Sequence, residues 1–203
     1  MSDGFGKYEL YTTTGSLYCY KGTDVLINRF GLRDGKLLKQ LEADVTSVIQ
    51  GSFLEEPVKG RFTPNHLCRI HRALFGDLYP FAGHYRREDI LKGSTRFLDY
   101  KHIKNKTKQT LDLLQKENCL HGAENARLLS RAAWYFAELN YIHPFREGNG
   151  RTLREFMRLL LLSNGYSVQW SAVPREELLQ VMELSVYDPA PLESLLRNCV
   201  TQL

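Results

Sequence analysis

The sequence predicts an all-α protein, a helical bundle with one small β element, on three observations. Apolar residues recur with a helical period over most of the chain from Lys36 to the C-terminus. The two most apolar of these stretches flank a short glycine-bearing connector, and a strand-and-turn pattern falls between Phe81 and Phe97. At 203 residues, 43% of them hydrophobic, the chain carries enough apolar surface for one core. No repeat or linker divides it, so residues 1–203 are expected to form a single domain.

The elements follow in order. Lys36 to Ile49 sets Leu37, Leu38, Leu41, Val45 and Val48 on one side, and Asn65 to Phe75 does so with Leu67, Ile70, Leu74 and Phe75, the pattern of amphipathic helices. Ile90, Leu91, Lys92, Gly93, Ser94 and Thr95 read as two short strands about a Lys-Gly turn. Glu124 to Tyr141 carries Leu128, Leu129, Ala132, Ala133, Phe136, Ala137 and Leu139, an apolar face too wide for a surface helix and therefore expected at the centre. Thr152 to Asn164 is nearly as apolar through Leu153, Phe156, Met157 and the leucine run, with Gly165 where a helix C-cap is expected. Between these two helices, His143 to Gly150 holds a proline and two glycines that neither helix could easily absorb.

Composition excludes several classes. With 11% aromatic residues and no low-complexity tract, the chain is not of the disordered type. A net charge of +4 favours an anionic partner without naming one. The N-terminus has no apolar signal region and the longest aliphatic run, Leu159 to Leu162, ends at Ser163, so neither export nor a membrane span is expected and a cytoplasmic location is. Cys19, Cys68, Cys119 and Cys199 form no CxxC pair, which removes the spacing of zinc and thioredoxin-like sites and leaves reduced thiols.

The connector is where chemistry is expected. Gly148, Asn149 and Gly150 all tolerate positive φ, so their amides could turn inward as an anion-binding nest that opens the following helix. Arg151 and Arg154, three apart in its first turn, could clamp phosphate oxygens. Glu147 beside such a nest makes sense chiefly with a divalent cation, Mg²⁺, between carboxylate and phosphate. His143 is the side chain here able to take a proton near neutral pH, and so the candidate general base. The i, i+4 spacing of His143 and Glu147 is not a helical metal pair, because Pro144 and the glycines break the helix between them. Phe145 belongs to the same nucleotide-binding loop, its ring reading as a core anchor. Each feature alone is ordinary, the glycines as a turn and the histidine as a cap; together they suit attack of a hydroxyl on a nucleotide phosphate.

These residues resemble the Fic family signature, His-x-Phe-x-(Asp/Glu)-Gly-Asn-Gly-Arg-x-x-Arg, with every specified position filled between His143 and Arg154. Tyr20-Lys-Gly-Thr-Asp-Val-Leu and the pair Ile70-His-Arg-Ala-Leu-Phe and Phe81-Ala-Gly are similar to further Fic segments, so the resemblance covers most of the chain. It implies the Fic fold, with a central two-helix motif and a β-hairpin flap at about 86–98. It implies an enzyme that moves AMP from ATP onto a Tyr, Ser or Thr hydroxyl of a target protein. In those terms His143 deprotonates the hydroxyl, Glu147 holds Mg²⁺, Gly148, Asn149 and Gly150 bind phosphates, and Arg151 and Arg154 contact the outer phosphates. The flap, Ile90 to Thr95, registers the target by strand addition.

Many Fic proteins carry an inhibitory Ser/Thr-x-x-x-Glu-(Gly/Asn) helix. Here the glutamates followed by Gly or Asn are Glu117, Glu124 and Glu147, preceded at four residues by Leu113, Leu120 and His143, and Ser52 to Glu56 is followed by Pro57. The expectation is a separate small antitoxin supplying the glutamate, in the bipartite toxin–antitoxin branch, whose target would be a protein such as a type II topoisomerase subunit. Transfer of UMP or another phosphate-containing group on the same fold, the reverse removal of AMP, injection into a host cell, and a non-catalytic helical module binding nucleic acid through its basic charge stand as the alternatives.

Overall fold

The computed structural model describes residues 8–10, 15–93 and 95–203, the first three by their backbone. Among the described residues seven α-helices form the bundle: α1 (Gly35–Ser52), α2 (Pro64–Phe75), α3 (Ile103–Lys116), α4 (Asn125–Ile142), α5 (Asn149–Ser163), α6 (Arg175–Leu184) and α7 (Ala190–Cys199). Local chemistry sets their starts. The Asp34 carboxylate accepts from the amides of Lys36 and Leu37 at 2.8 and 3.1 Å. The Thr63 hydroxyl accepts from His66, and Pro64 sits in the first turn of α2 where a missing N–H costs nothing.

The expected central helix is α4, packed against α3, α5 and α7, with α2 lying on α5. Leu128, Ala132, Ala133, Tyr135, Phe136, Leu139 and Ile142 of α4 and Leu153, Phe156, Met157 and Leu160 of α5 are buried in one core. A helix apolar nearly all round has to be covered on all sides, which is why these two lie innermost. Gly165 takes the left-handed conformation, φ +83°, just past the end of α5.

Helix α1 departs from its predicted face. Leu38 is buried, but Leu37 and Val48 are 49% and 76% exposed. Those two lie about three turns apart on one line of the helix, beside the line that reaches the core. The inner line instead runs through the partly buried Glu42 and buried Thr46, because Glu42 meets charge at the site described below.

Two small sheets accompany the helices among the described residues. In the first, β1 (Tyr8–Leu10), β2 (Ile90–Lys92) and β3 (Thr95–Arg96) are antiparallel, in that order. Lys92 pairs with Thr95, so Lys92 belongs to β2 and the turn begins at Gly93, φ +57°, one residue later than the predicted Lys-Gly turn; Ser94 lies outside the described residues. Tyr8 to Leu10 pair with Lys92 to Ile90, which fills the second edge of β2. The other sheet pairs β4 (Tyr166–Val168) with β5 (Val200–Gln202).

Candidate active site

His143 ends α4. The ring of Pro144 disfavours the right-handed helical region at the residue before it, and His143 ends the helix in the left-handed region at φ 46°. That conformation costs a non-glycine residue about 1 kcal/mol or more. Its Nδ1 lies 3.0 Å from the Asn140 carbonyl oxygen, which can only accept, so Nδ1 carries the proton and Nε2 is the basic nitrogen. The ring stacks on Phe97 at 3.7 Å between centroids and is 5% exposed. Burial, with the charges of Arg86 and Lys92, drives its pKa down to about 3 against the Asn140 hydrogen bond, which keeps the imidazole neutral and able to accept a proton.

Loop 143–148 is locked from two sides. Asn149 gives its amide N–H to the Phe145 carbonyl and accepts the Phe145 amide on Oδ1, at 2.8 and 2.9 Å. His71 of α2 stacks on Phe145 at 3.9 Å, donates from Nε2 to the Glu147 carbonyl and accepts the Gly83 amide on Nδ1. Phe145 is fully buried, so it holds the loop and its ring is withdrawn from any ligand. The Asn149 side chain is likewise spent on the loop.

The nest differs from its prediction. Of its three residues only Gly148 has positive φ, +77°, while Asn149 and Gly150 already belong to α5. A side chain at Gly148 would also place a carbon 2.3 Å from the Phe75 ring, so glycine is required twice over. The anion-binding feature is therefore a helix start, where the amides of Asn149, Gly150 and Arg151 have no intrahelical acceptor.

The two motif arginines part company. Arg151 Nη2 meets Glu42 of α1 at 2.5 Å and Nη1 meets the Thr46 hydroxyl at 3.1 Å, with the guanidinium over the Phe75 ring. Tyr79 donates to the other Glu42 oxygen. Arg154 makes no hydrogen bond or ion pair among the described residues, and burial followed by Arg151's charge lowers its pKa to about 10. An arginine so placed is a desolvated cation, which an anion brought beside it would stabilise. Glu147, 27% exposed at its side chain, caps its neighbour's amide, Gly148, at 2.8 Å and lies 3.7 Å from Arg151. Burial and the Glu42 carboxylate raise its pKa while Arg151 opposes them.

In the hairpin, Ile90 and Thr95 are buried, so of the six predicted target contacts these two anchor the sheet inward. Leu91 and Lys92 are half-buried, and Lys92 is near enough for its charge to act on His143.

Sequence reasoning missed Glu42, the locking role of His71, and Arg86. Glu42 had a signal, an acid on the line of α1 that runs beside Leu38. Arg86 had none, because it stands in irregular chain where no periodicity marks a residue as buried.

The neutral state of the inner histidines has a consequence for stability. His71 and His143 stay deprotonated down to about 4 and 3 when folded, while the unfolded chain protonates both near 6.5. The unfolded state therefore binds more protons below 6.5, and unfolding free energy falls with pH by up to about 2.7 kcal/mol per pH unit for the pair. Urea midpoints should drop steeply from pH 6.5 to 5; equal midpoints at the two values would contradict the burial of neutral imidazoles.

A buried neutral histidine, an open helix start and an arginine unpaired among the described residues come together on a helical bundle, and comparison with known proteins gives the family to which this arrangement belongs. A family model described as Fic/DOC family matches residues 61–161. The chain is 35% identical to protein adenylyltransferase VbhT of Bartonella schoenbuchensis over 95% of its own length, spanning 40% of that protein. It is 34% identical to the probable protein adenylyltransferase Fic of Salmonella typhimurium, covering 87% of this chain and 84% of that one. A crystal structure of BepC from Bartonella tribocorum with bound AMPPNP is 26% identical, superposes with a TM-score of 0.85, and is matched over 95% of this chain and all of that one. The chain belongs to the Fic/DOC family. All four cysteines are free, and no described helix is long and apolar enough to cross a membrane.

Proposed function

We propose that the chain, as one Fic domain over residues 1–203, transfers AMP from ATP to a Tyr, Ser or Thr hydroxyl of a target protein. The observation that carries this is the neutral, Nδ1-protonated His143 held at the mouth of α5, whose open amides and unpaired Arg154 suit a polyphosphate. His143 Nε2 takes the acceptor's proton as its oxygen bonds to the α-phosphorus. The bond from that phosphorus to the β-bridging oxygen breaks, and pyrophosphate leaves.

Phosphates at the α5 start meet the amides of Asn149, Gly150 and Arg151, and Arg154 supplies the outer-phosphate contact that Arg151, engaged by Glu42, is not placed to share equally. Mg²⁺ fits the donor set, since it is commonly held by one or two carboxylates plus substrate phosphates, and Glu147 is the half-buried carboxylate beside those amides. Bound there, it would offset phosphate charge. A target segment adding to the outer edge of β2 would replace β1.

Arg154 has no carboxylate partner among the described residues, whereas Glu42, brought in by the fold itself, holds Arg151. This supports an inhibitory glutamate supplied by a separate antitoxin, and with it the role of a cytoplasmic toxin acting on a protein such as a type II topoisomerase subunit. The test is incubation of the chain and its His143→Ala variant with Mg²⁺ and α- or γ-labelled ATP, or α-labelled UTP, in a bacterial lysate. Protein bands labelled from the α position only, and lost in the variant, are expected; γ label would replace AMP transfer by phosphotransfer, and label from UTP alone would make UMP the group moved.

A further inference from the structure

Arg86 stands outside the signature, between α2 and the hairpin, yet its side chain is fully buried. Every donor of its guanidinium is used. Nε donates to the His143 carbonyl at 2.8 Å, Nη1 to the Glu88 carbonyl at 2.8 Å with Asp89 Oδ1 at 3.5 Å, and Nη2 to the carbonyls of Leu98 and, at 3.3 Å, Ile142. Its own amide donates to the Pro144 carbonyl at 2.8 Å. Glu88 and Leu98 are the two feet of the hairpin; Ile142, His143 and Pro144 are the end of α4 and the start of the catalytic loop.

A helix end leaves its last carbonyls without intrahelical donors, and the commonest remedy is a glycine cap. Here the residue in that position is His143 itself, strained into the left-handed region, and Arg86 satisfies the carbonyls instead. A flat five-donor fork can bridge four carbonyls from two segments at once, which an ammonium cannot. Leu98 adds a parallel link, its amide donating to the Tyr141 carbonyl at 3.2 Å.

We infer that Arg86 is a positioning residue that fixes His143 in its strained conformation and ties the feet of the flap to it, so that target registration and orientation of the base form one rigid unit. Arg86, fully buried with its donors spent on these partners, has none left to offer a nucleotide or an acceptor. Its removal should therefore spare ATP binding while misaligning the base with the hydroxyl. The inference rests on the functional reading above, so its test includes a readout independent of turnover.

The experiment compares the full chain with Arg86→Gln and Arg86→Lys, the lysine variant carrying the test should the glutamine variant fail to fold. Long-range ¹H–¹⁵N spectra of the histidine rings, assigned with His143→Gln, report the tautomer. The wild type should show one neutral Nδ1–H form for His143, and the variants exchanging tautomers. In parallel, kcat for α-label transfer should fall by about a hundredfold and the target's KM rise, with the ATP dissociation constant within threefold. Millimolar methylguanidinium should restore about tenfold of kcat to Arg86→Gln and none to the wild type. Folded variants that keep the single wild-type tautomer overturn the inference, as does a loss of kcat matched by an equal loss of ATP binding. A wild type that transfers no label while its tautomer responds to Arg86 as described would refute the functional reading and leave the positioning role standing.

Discussion

Replacing His143 with alanine or asparagine is expected to lower AMP transfer by about a thousandfold or more while ATP still binds, because the proton acceptor is lost and the helix start with Arg154 stays in place. The asparagine variant separates chemistry from backbone strain, since asparagine adopts the left-handed region far more readily than alanine. Both lose the stack on Phe97 and the bond to Asn140. Of the two, asparagine should therefore lie closer to the wild type in thermal stability, and both should be equally inactive. In the wild type, a base whose pKa lies near 3 gives a kcat profile without an acid limb at 6.5, down to the pH where the fold itself gives way. Transfer by either variant within tenfold of the wild type would remove His143 from the role of base. An acid limb centred near 6.5 would show instead that the site opens to solvent during turnover.

The legible part of the sequence was the part governed by period and by steric exclusion. The width of the apolar face on α4 told its central place, and Pro144 with Gly148 told where α4 and α5 must break. The setting of the motif was legible for His143, which ends α4, for the helix start at Gly148 and for Arg154 near the start of α5. Asn149 and Arg151 were not, because an asparagine that closes a loop on Phe145 and one that faces a phosphate read alike in sequence. So do an arginine that clamps phosphate and one that clamps Glu42, a partner 109 residues away. Arg86 illustrates the same limit: its partners are carbonyl oxygens, which every residue possesses, so nothing in the identity of Ile142, His143, Glu88 or Leu98 announces them. The strand β1 was missed for a related reason, since a strand of three residues is too short to show a marked alternation.

The division between Arg151 and Arg154 predicts a crossed result in their alanine variants. Arg151 is the countercharge between Glu42 and Glu147, and its loss leaves two partly buried carboxylates, with Tyr79 and Thr46, facing one another without it. Removing one partner of such a set costs about 3 kcal/mol, so Arg151→Ala should shift the urea midpoint sharply down. Arg154 gives nothing to the free fold, where burial and the repulsion of Arg151 already disfavour its charge. Arg154→Ala should therefore melt as the wild type does, or up to about 1 kcal/mol higher, since it relieves a desolvated cation. Nucleotide affinity should follow the opposite order. A charge-assisted bond to phosphate is worth about 1.5–3 kcal/mol, so ATP should bind Arg154→Ala roughly ten- to a hundredfold more weakly, while Arg151→Ala, kept below its melting range, should lose much less. Calorimetric titration with a non-hydrolysable ATP analogue beside denaturant melts measures both axes. If the two variants lost stability and affinity in equal measure, Glu42 would not be what distinguishes the arginines, and the outer phosphates would have to draw Arg151 away from it on binding.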